Sequence, residues 1–198
     1  MNTRPYLSLI VVLTLAAGGC GGVYIGPDGP DPATRPLRCQ QPADQPSGMH
    51  VLLAQSVPSA SAVPCLTVDV TDWLVAVFEV GSGRALIEFT HRYGRDDDTA
   101  TLELTAGCDV DDAREVSSRF DGVRRYDRPA TRGGRYADEI YLVAPGACTA
   151  LRFNLSGAAA DLRGAEISGA LGFVSRADLD RQIRAASDGH LRLDADRG

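Results

Sequence analysis

The chain has 198 residues, 44% of them apolar, a formal charge of −6 and no lysine. That balance runs against general nucleic-acid binding, which calls for a basic surface. The missing lysine also removes Schiff-base and Ser-Lys chemistry. Arginine supplies every basic side chain, the usage a GC-rich genome produces.

Residues 1–20, MNTRPYLSLIVVLTLAAGGC, set Arg4 and the free amine ahead of an uncharged apolar run from Tyr6 to Ala17, then end in small residues and Cys20. This is the layout of a secretory signal peptide. A spanning helix needs about 20 apolar residues, so this shorter run is expected to be cleaved rather than to stay as a membrane span. The segment Ala17-Gly18-Gly19-Cys20 resembles the lipobox of bacterial lipoproteins, with Ala17 standing where that family usually has leucine. The resemblance implies removal of residues 1–19, lipidation of Cys20, and a protein held by acyl chains at the extracytoplasmic face of the cell membrane. The other outcome is a plain secreted protein cut between Ala16 and Gly18.

Residues 20–47 read as a Pro/Gly-rich tether without apolar periodicity. Such a segment favours extended geometry of about 3.1 Å per residue, enough to stand the domain several tens of ångströms off a membrane. Four cysteines follow Cys20, and an even number in an exported chain suggests two disulfides. Three connectivities are open; the expected one joins Cys39 to Cys65 and Cys108 to Cys148, each worth about 3–4 kcal/mol in the chain-entropy account.

Residues 48–189 are expected to form one mainly β domain, an antiparallel sandwich-like fold with one C-terminal α-helix, followed by a charged tail at 190–198. Residues 51–54 read as a first strand or a helical turn, the strand being preferred, in an apolar stretch broken by Pro58 and Pro64. Its segment QSVPSA resembles uncharacterised exported proteins of GC-rich bacteria, a likeness that implies no function. Residues 66–70 alternate, and 73–80 are apolar on both faces, as in a central strand. In 84–92 Ala85, Ile87 and Phe89 share a face; in 99–106 Ala100, Leu102, Leu104 and Ala106 do the same. These strands form a meander.

Residues 107–137 are polar and turn-rich, with one short strand at 123–126. Strands are expected again at 139–143, at 148–156 with Leu151, Phe153 and Leu155 inward, and, after a loop at 158–164, at 167–174. Ser175 as N-cap and Asp178 three residues on mark the start of the helix, Leu179, Ile183 and Ala186 its apolar face, and Gly189 its stop.

No catalytic motif is present. His50, His91 and His190 are scattered, and neither G-x-S-x-G nor H-E-x-x-H occurs. The acidic turns Asp96-Asp97-Asp98 and Asp109, Asp111, Asp112 lack the EF-hand spacing, so no metal or other cofactor is expected. The departure from background is an arginine crowd: Arg114, Arg119, Arg124, Arg125, Arg128, Arg132 and Arg135 face only Glu115, Asp121 and Asp127, a local charge of +4. Guanidinium forks bind phosphate and carboxylate, which makes Arg119, Arg124, Arg125, Arg128, Arg132 and Arg135 candidate anion-binding residues toward anionic lipid, wall polymer or an envelope protein. Together these features point to a non-enzymatic, lipid-anchored binding or scaffolding domain. The alternatives are a sensor or inhibitor of another envelope protein, and an exported hydrolase built on His91 and an aspartate.

Overall fold

A computed structural model describes residues 37–41 and 45–194; the leader, Cys20 and most of the tether lie outside the described residues. In chain order the elements are α1 (Gly48–Ser56), β1 (Ala62–Leu66), β2 (Trp73–Gly81), β3 (Arg84–His91), β4 (Thr99–Thr105), β5 (Arg114–Val116) and β6 (Arg124–Arg128). They continue with β7 (Thr131–Arg132), β8 (Arg135–Tyr136), β9 (Glu139–Ala144), β10 (Ala147–Asn154), α2 (Ala160–Ala170), β11 (Leu171–Ser175) and α3 (Arg176–Ala186). The fold is mainly β, built on a seven-stranded antiparallel sheet of order β2-β3-β4-β10-β9-β6-β5.

Alternation along β3, β4 and β10 builds the inner face of that sheet. The register sets Phe89 beside Ala100 and Phe153, and Ile87 beside Leu102 and Leu151, in continuous cross-strand rows. Each large apolar side chain so buried contributes about 1.5–3 kcal/mol. The opposing layer is the antiparallel pair β1–β11 with the three helices. It adds Leu53 of α1, Ile167 of α2, and Leu179 and Ile183 of α3 to the same core. Cys39 is bonded to Cys65 (Cα–Cα 4.9 Å) and Cys108 to Cys148 (5.6 Å), spacings ordinary for disulfides.

Several expectations are corrected. Among the described residues three helices form, the expected C-terminal one being α3. Residues 51–54 lie inside α1, whose buried residues Met49, His50, Leu53, Ala54 and Ser56 leave almost no polar face for periodicity to reveal. The strand expected at 66–70 is instead β1, which tolerates Pro64. The flanking bonds Arg176 N–H to Ser61 O and Thr67 N–H to Ala170 O put the N–H of position 64 on the side away from β11. β2 is an edge strand, apolar on both faces because its first half, around Trp73 and Val75, is buried. The polar middle section holds β5 to β8 rather than a loop with one strand. β7 and β8 close on Gly133 and Gly134, both with positive φ (59° and 77°), the backbone that a two-residue hairpin turn requires. Helix α2 replaces the loop at 158–164 and the first part of the strand at 167–174. The first residues of the tail are docked: Leu193 is buried and its N–H donates to Asp180.

Candidate functional site

The arginine crowd divides among four places: the outer face of the sheet, its inner face, its far end and the C-terminus of α2. On the outer face of the sheet, Arg84 and Arg152 both bind Glu103, the latter at 2.6 Å. The next rung continues from there: Arg128 donates to Glu139 at 2.9 Å and to the Tyr141 hydroxyl at 2.6 Å, and that hydroxyl donates to Glu139. Arg132 reaches the other oxygen of Glu139 at 3.5 Å, and Arg124 holds Glu115 through two bonds of 3.0 and 2.8 Å. A loop pinned by the Cys108–Cys148 disulfide lays Val110 and Ala113 against Tyr126 and Tyr141. Burial pushes the Glu103 and Glu139 carboxyls up, but bonds from Arg84 and Arg152 to the first and from Tyr141 and Arg128 to the second outweigh it. Both stay ionised below the usual range.

Arg125 turns to the inner face and pairs with Asp127 at 2.7 Å. Arg135 sits at the far end of the sheet, where it and Arg163 hold the fully buried Asp98 at 2.8 and 3.2 Å. Asp98 also accepts the backbone N–H groups of Arg95 and Ser156, so this residue of the first acidic turn is a structural tie. Arg119 caps the C-terminus of α2, its Nη2 donating to the carbonyls of Ser168, Gly169 and Leu171 at 3.2, 2.8 and 2.6 Å. The six candidate anion-binding residues therefore do not converge, and each already donates within the domain.

The histidines are equally separate. His50 is buried, its Nε2 3.2 Å from the Leu37 carbonyl. His91 stacks edge-on against Trp73 at 5.1 Å and accepts the Tyr93 N–H at 3.3 Å, while His190 is exposed. Among the described residues no three His, Cys, Asp or Glu side chains gather for a metal ion. Asp109 accepts the Asp111 N–H, a turn-forming bond.

What the fold does assemble is an apolar groove at the point where the tether enters. Its volume is about 600 Å³, and Phe120, Val123, Pro145, Gly172, Phe173 and Cys39 line it. Phe120 and Phe173 meet edge-to-face at 5.1 Å, and the Arg119 guanidinium lies 4.9 Å over the Phe120 ring. A second groove of about 450 Å³ shares Cys39, Phe173 and Ser175 and extends to Arg181 and Ala185 of α3. Gly172 keeps the floor flat: a Cβ there would meet Thr67 Cγ2 at 2.6 Å and Cys39 Sγ at 2.8 Å. Of these residues only Phe173 is marked by alternation in the sequence. Phe120, Val123 and Pro145 come from segments distant in the chain, and no local signal in the sequence brings them together.

No family model, no curated protein and no solved structure matches the chain.

Proposed function

We propose that the chain is an exported lipoprotein, acylated at Cys20, whose β-rich domain binds or scaffolds at the extracytoplasmic face of the cell membrane and performs no catalysis. The observation that carries this reading is the cysteine arithmetic. Cys39, Cys65, Cys108 and Cys148 pair among themselves. Cys20 is thereby left over, directly after the small residues of an apolar leader. Disulfides persist in oxidising compartments, in keeping with export.

The test is the N-terminus and location of the mature protein. Wild type is expected in the membrane fraction, with a mass that begins at Cys20 plus acyl chains and with no free thiol. Cys20→Ala is expected to lose both acylation and membrane retention. A Cys20→Ala protein that stays in the membrane, or a cytosolic wild type with reduced thiols, overturns the reading.

A further inference from the structure

Of the three histidines only His50 is fully enclosed, 1% exposed, and neither the arginine ladder nor the grooves use it. Among the described residues its ring has one hydrogen-bond partner, the Leu37 carbonyl, 3.2 Å from Nε2. A carbonyl only accepts, so the neutral ring carries its proton on Nε2. Leu37 is 2% exposed. Beyond it Arg38 bridges Leu66 and forks onto Asp69, and Cys39 is held twice, by its N–H on the Leu66 carbonyl at 2.9 Å and by the bond to Cys65. Residues 37–39 thus form a strap between α1 and β1, covalent at Cys39 and held at Leu37 and Arg38 by packing, the His50 bond and an exposed ion pair. Exposed pairs of that kind contribute little.

We propose that His50 is an acid-operated latch: neutral, it holds Leu37 in place; protonated, it releases residues 37 and 38 as far as the Cys39–Cys65 disulfide while the sheet stays folded. A buried imidazolium finds no counter-charge here. α1 packs on β1, β2, β3 and α3, and neither α1 nor β1 holds another charged side chain. Glu79 of β2 and Arg84 and Glu88 of β3 stand on the outer face of the sheet, and His91 lies against Trp73. On α3, Asp178 pairs with Arg181 and Asp180 with Arg184, while Arg176 donates to the Ala54 and Asp194 carbonyls. None of these groups acts on the ring, whose ionisation is governed by burial first and the Leu37 carbonyl second. Once protonated, the ring must reach water, and the strap is what yields, because an end of the folded chain opens at less cost than a helix packed on several sides. The disulfide limits the opening and lets it reverse. Burial holds His50 below the ordinary histidine value of about 6.5. The closed strap is therefore complete above about 6.5 and weakens as pH falls from there through the lower folded value. The latch works whether or not Cys20 is acylated.

The test follows the His50 ring and backbone amide exchange by NMR from about pH 7.5 to about pH 4.5, in the oxidised chain from Cys20 to Gly198. Exchange of the Cys39 amide, corrected for its intrinsic pH dependence, is expected to rise by up to about tenfold per pH unit below about 6.5, in step with protonation of the ring. The Thr67 amide, bonded to the Ala170 carbonyl at 2.7 Å, is expected to keep its protection. His50→Gln retains a side-chain N–H donor that does not titrate, so its Cys39 amide is expected to show no such rise. A ring that protonates while Cys39 exchange is unchanged overturns the proposal, and so does a ring that stays neutral throughout. Equal acceleration at Thr67 overturns it too, since that is unfolding of the whole domain, as does the same rise in His50→Gln. If that variant does not fold, wild type alone decides: a Cys39 rise that fails to track the ring's own titration ends the proposal.

Discussion

On its inner face the seven-stranded sheet meets the helices through Phe89, Leu102 and Leu151, all nearly inaccessible. On its outer face the same strands present Arg84, Glu103, Arg152 and Glu139 to one another under a loop held by Cys108–Cys148. The inner face draws its stability from apolar area, insensitive to pH and salt. The outer face must offset the desolvation of carboxylates such as Glu139, whose side chain is only 11% exposed, by giving each several donors. A chain that is acidic overall and lacks lysine thus uses arginine as a cross-strand linker, one guanidinium serving two acceptors.

The inner face is the place where one substitution should cost most. Phe89→Ala removes a fully buried ring that packs beside Ala100 of β4, and is expected to lower unfolding free energy by about 3–5 kcal/mol. Urea titration at two salt concentrations checks this, with the loss the same in both. Asp98→Asn tests the buried ion pairs at the end of the sheet. It leaves Arg163 uncompensated and Arg135 with Asp97 alone, an expected loss of about 3 kcal/mol. Burial alone would raise the Asp98 carboxyl, yet the bonds from Ser156 and Arg95 and the Arg163 charge hold it below the usual aspartate range. Its contribution is therefore complete above the unfolded value of about 3.9 and lost as pH falls through the lower folded value. Wild type should lose stability below about pH 4, and the Asp98→Asn variant should show a flatter acid limb.

The same contrast explains what could be read in advance. Alternation exposed β3, β4 and β10 because the inner face is apolar at every second residue, and α3 announced itself through Ser175, whose side chain accepts the Asp178 N–H at 3.0 Å. The two missed helices lack a polar–apolar rhythm: α1 is buried on several sides, and α2 carries Gly164 and Gly169. Gly164 is there for space, since a Cβ would meet the Tyr136 ring at 2.6 Å. The short strand expected at 123–126 foreshadowed part of β6, but β5 and the rest of β6 were hidden for another reason. Their outward residues, among them Arg124, Tyr126 and Arg128, acquire meaning only beside Tyr141 and Glu139 of β9, and cross-strand pairing of charge leaves no periodic trace. The arginine excess was visible as composition, but its division among ladder, helix cap and buried tie was not. The groove was beyond reach for the same reason, its walls being segments far apart in the chain.

The smallest expected effect is the one that decides whether the outer ladder acts as a unit. Arg84 sits at its end, about half exposed, and Glu103 keeps Arg152 when Arg84 is removed. Treated as an ordinary surface pair, Arg84→Ala should cost about 0.5 kcal/mol, and the difference should fade near 1 M salt, where screening acts within about 3 Å. Urea titration of both proteins in low and high salt reads this directly. A cost near 2 kcal/mol that survives salt would mean that the Arg84–Glu103–Arg152 bonds and the Tyr141–Glu139–Arg128 bonds polarise one another across the contact of the Arg152 guanidinium with the Tyr141 ring at 6.0 Å. The outer face would then be a second cooperative layer, as indivisible as the apolar one behind it, and the loop pinned by Cys108 would owe its place to that layer more than to the disulfide.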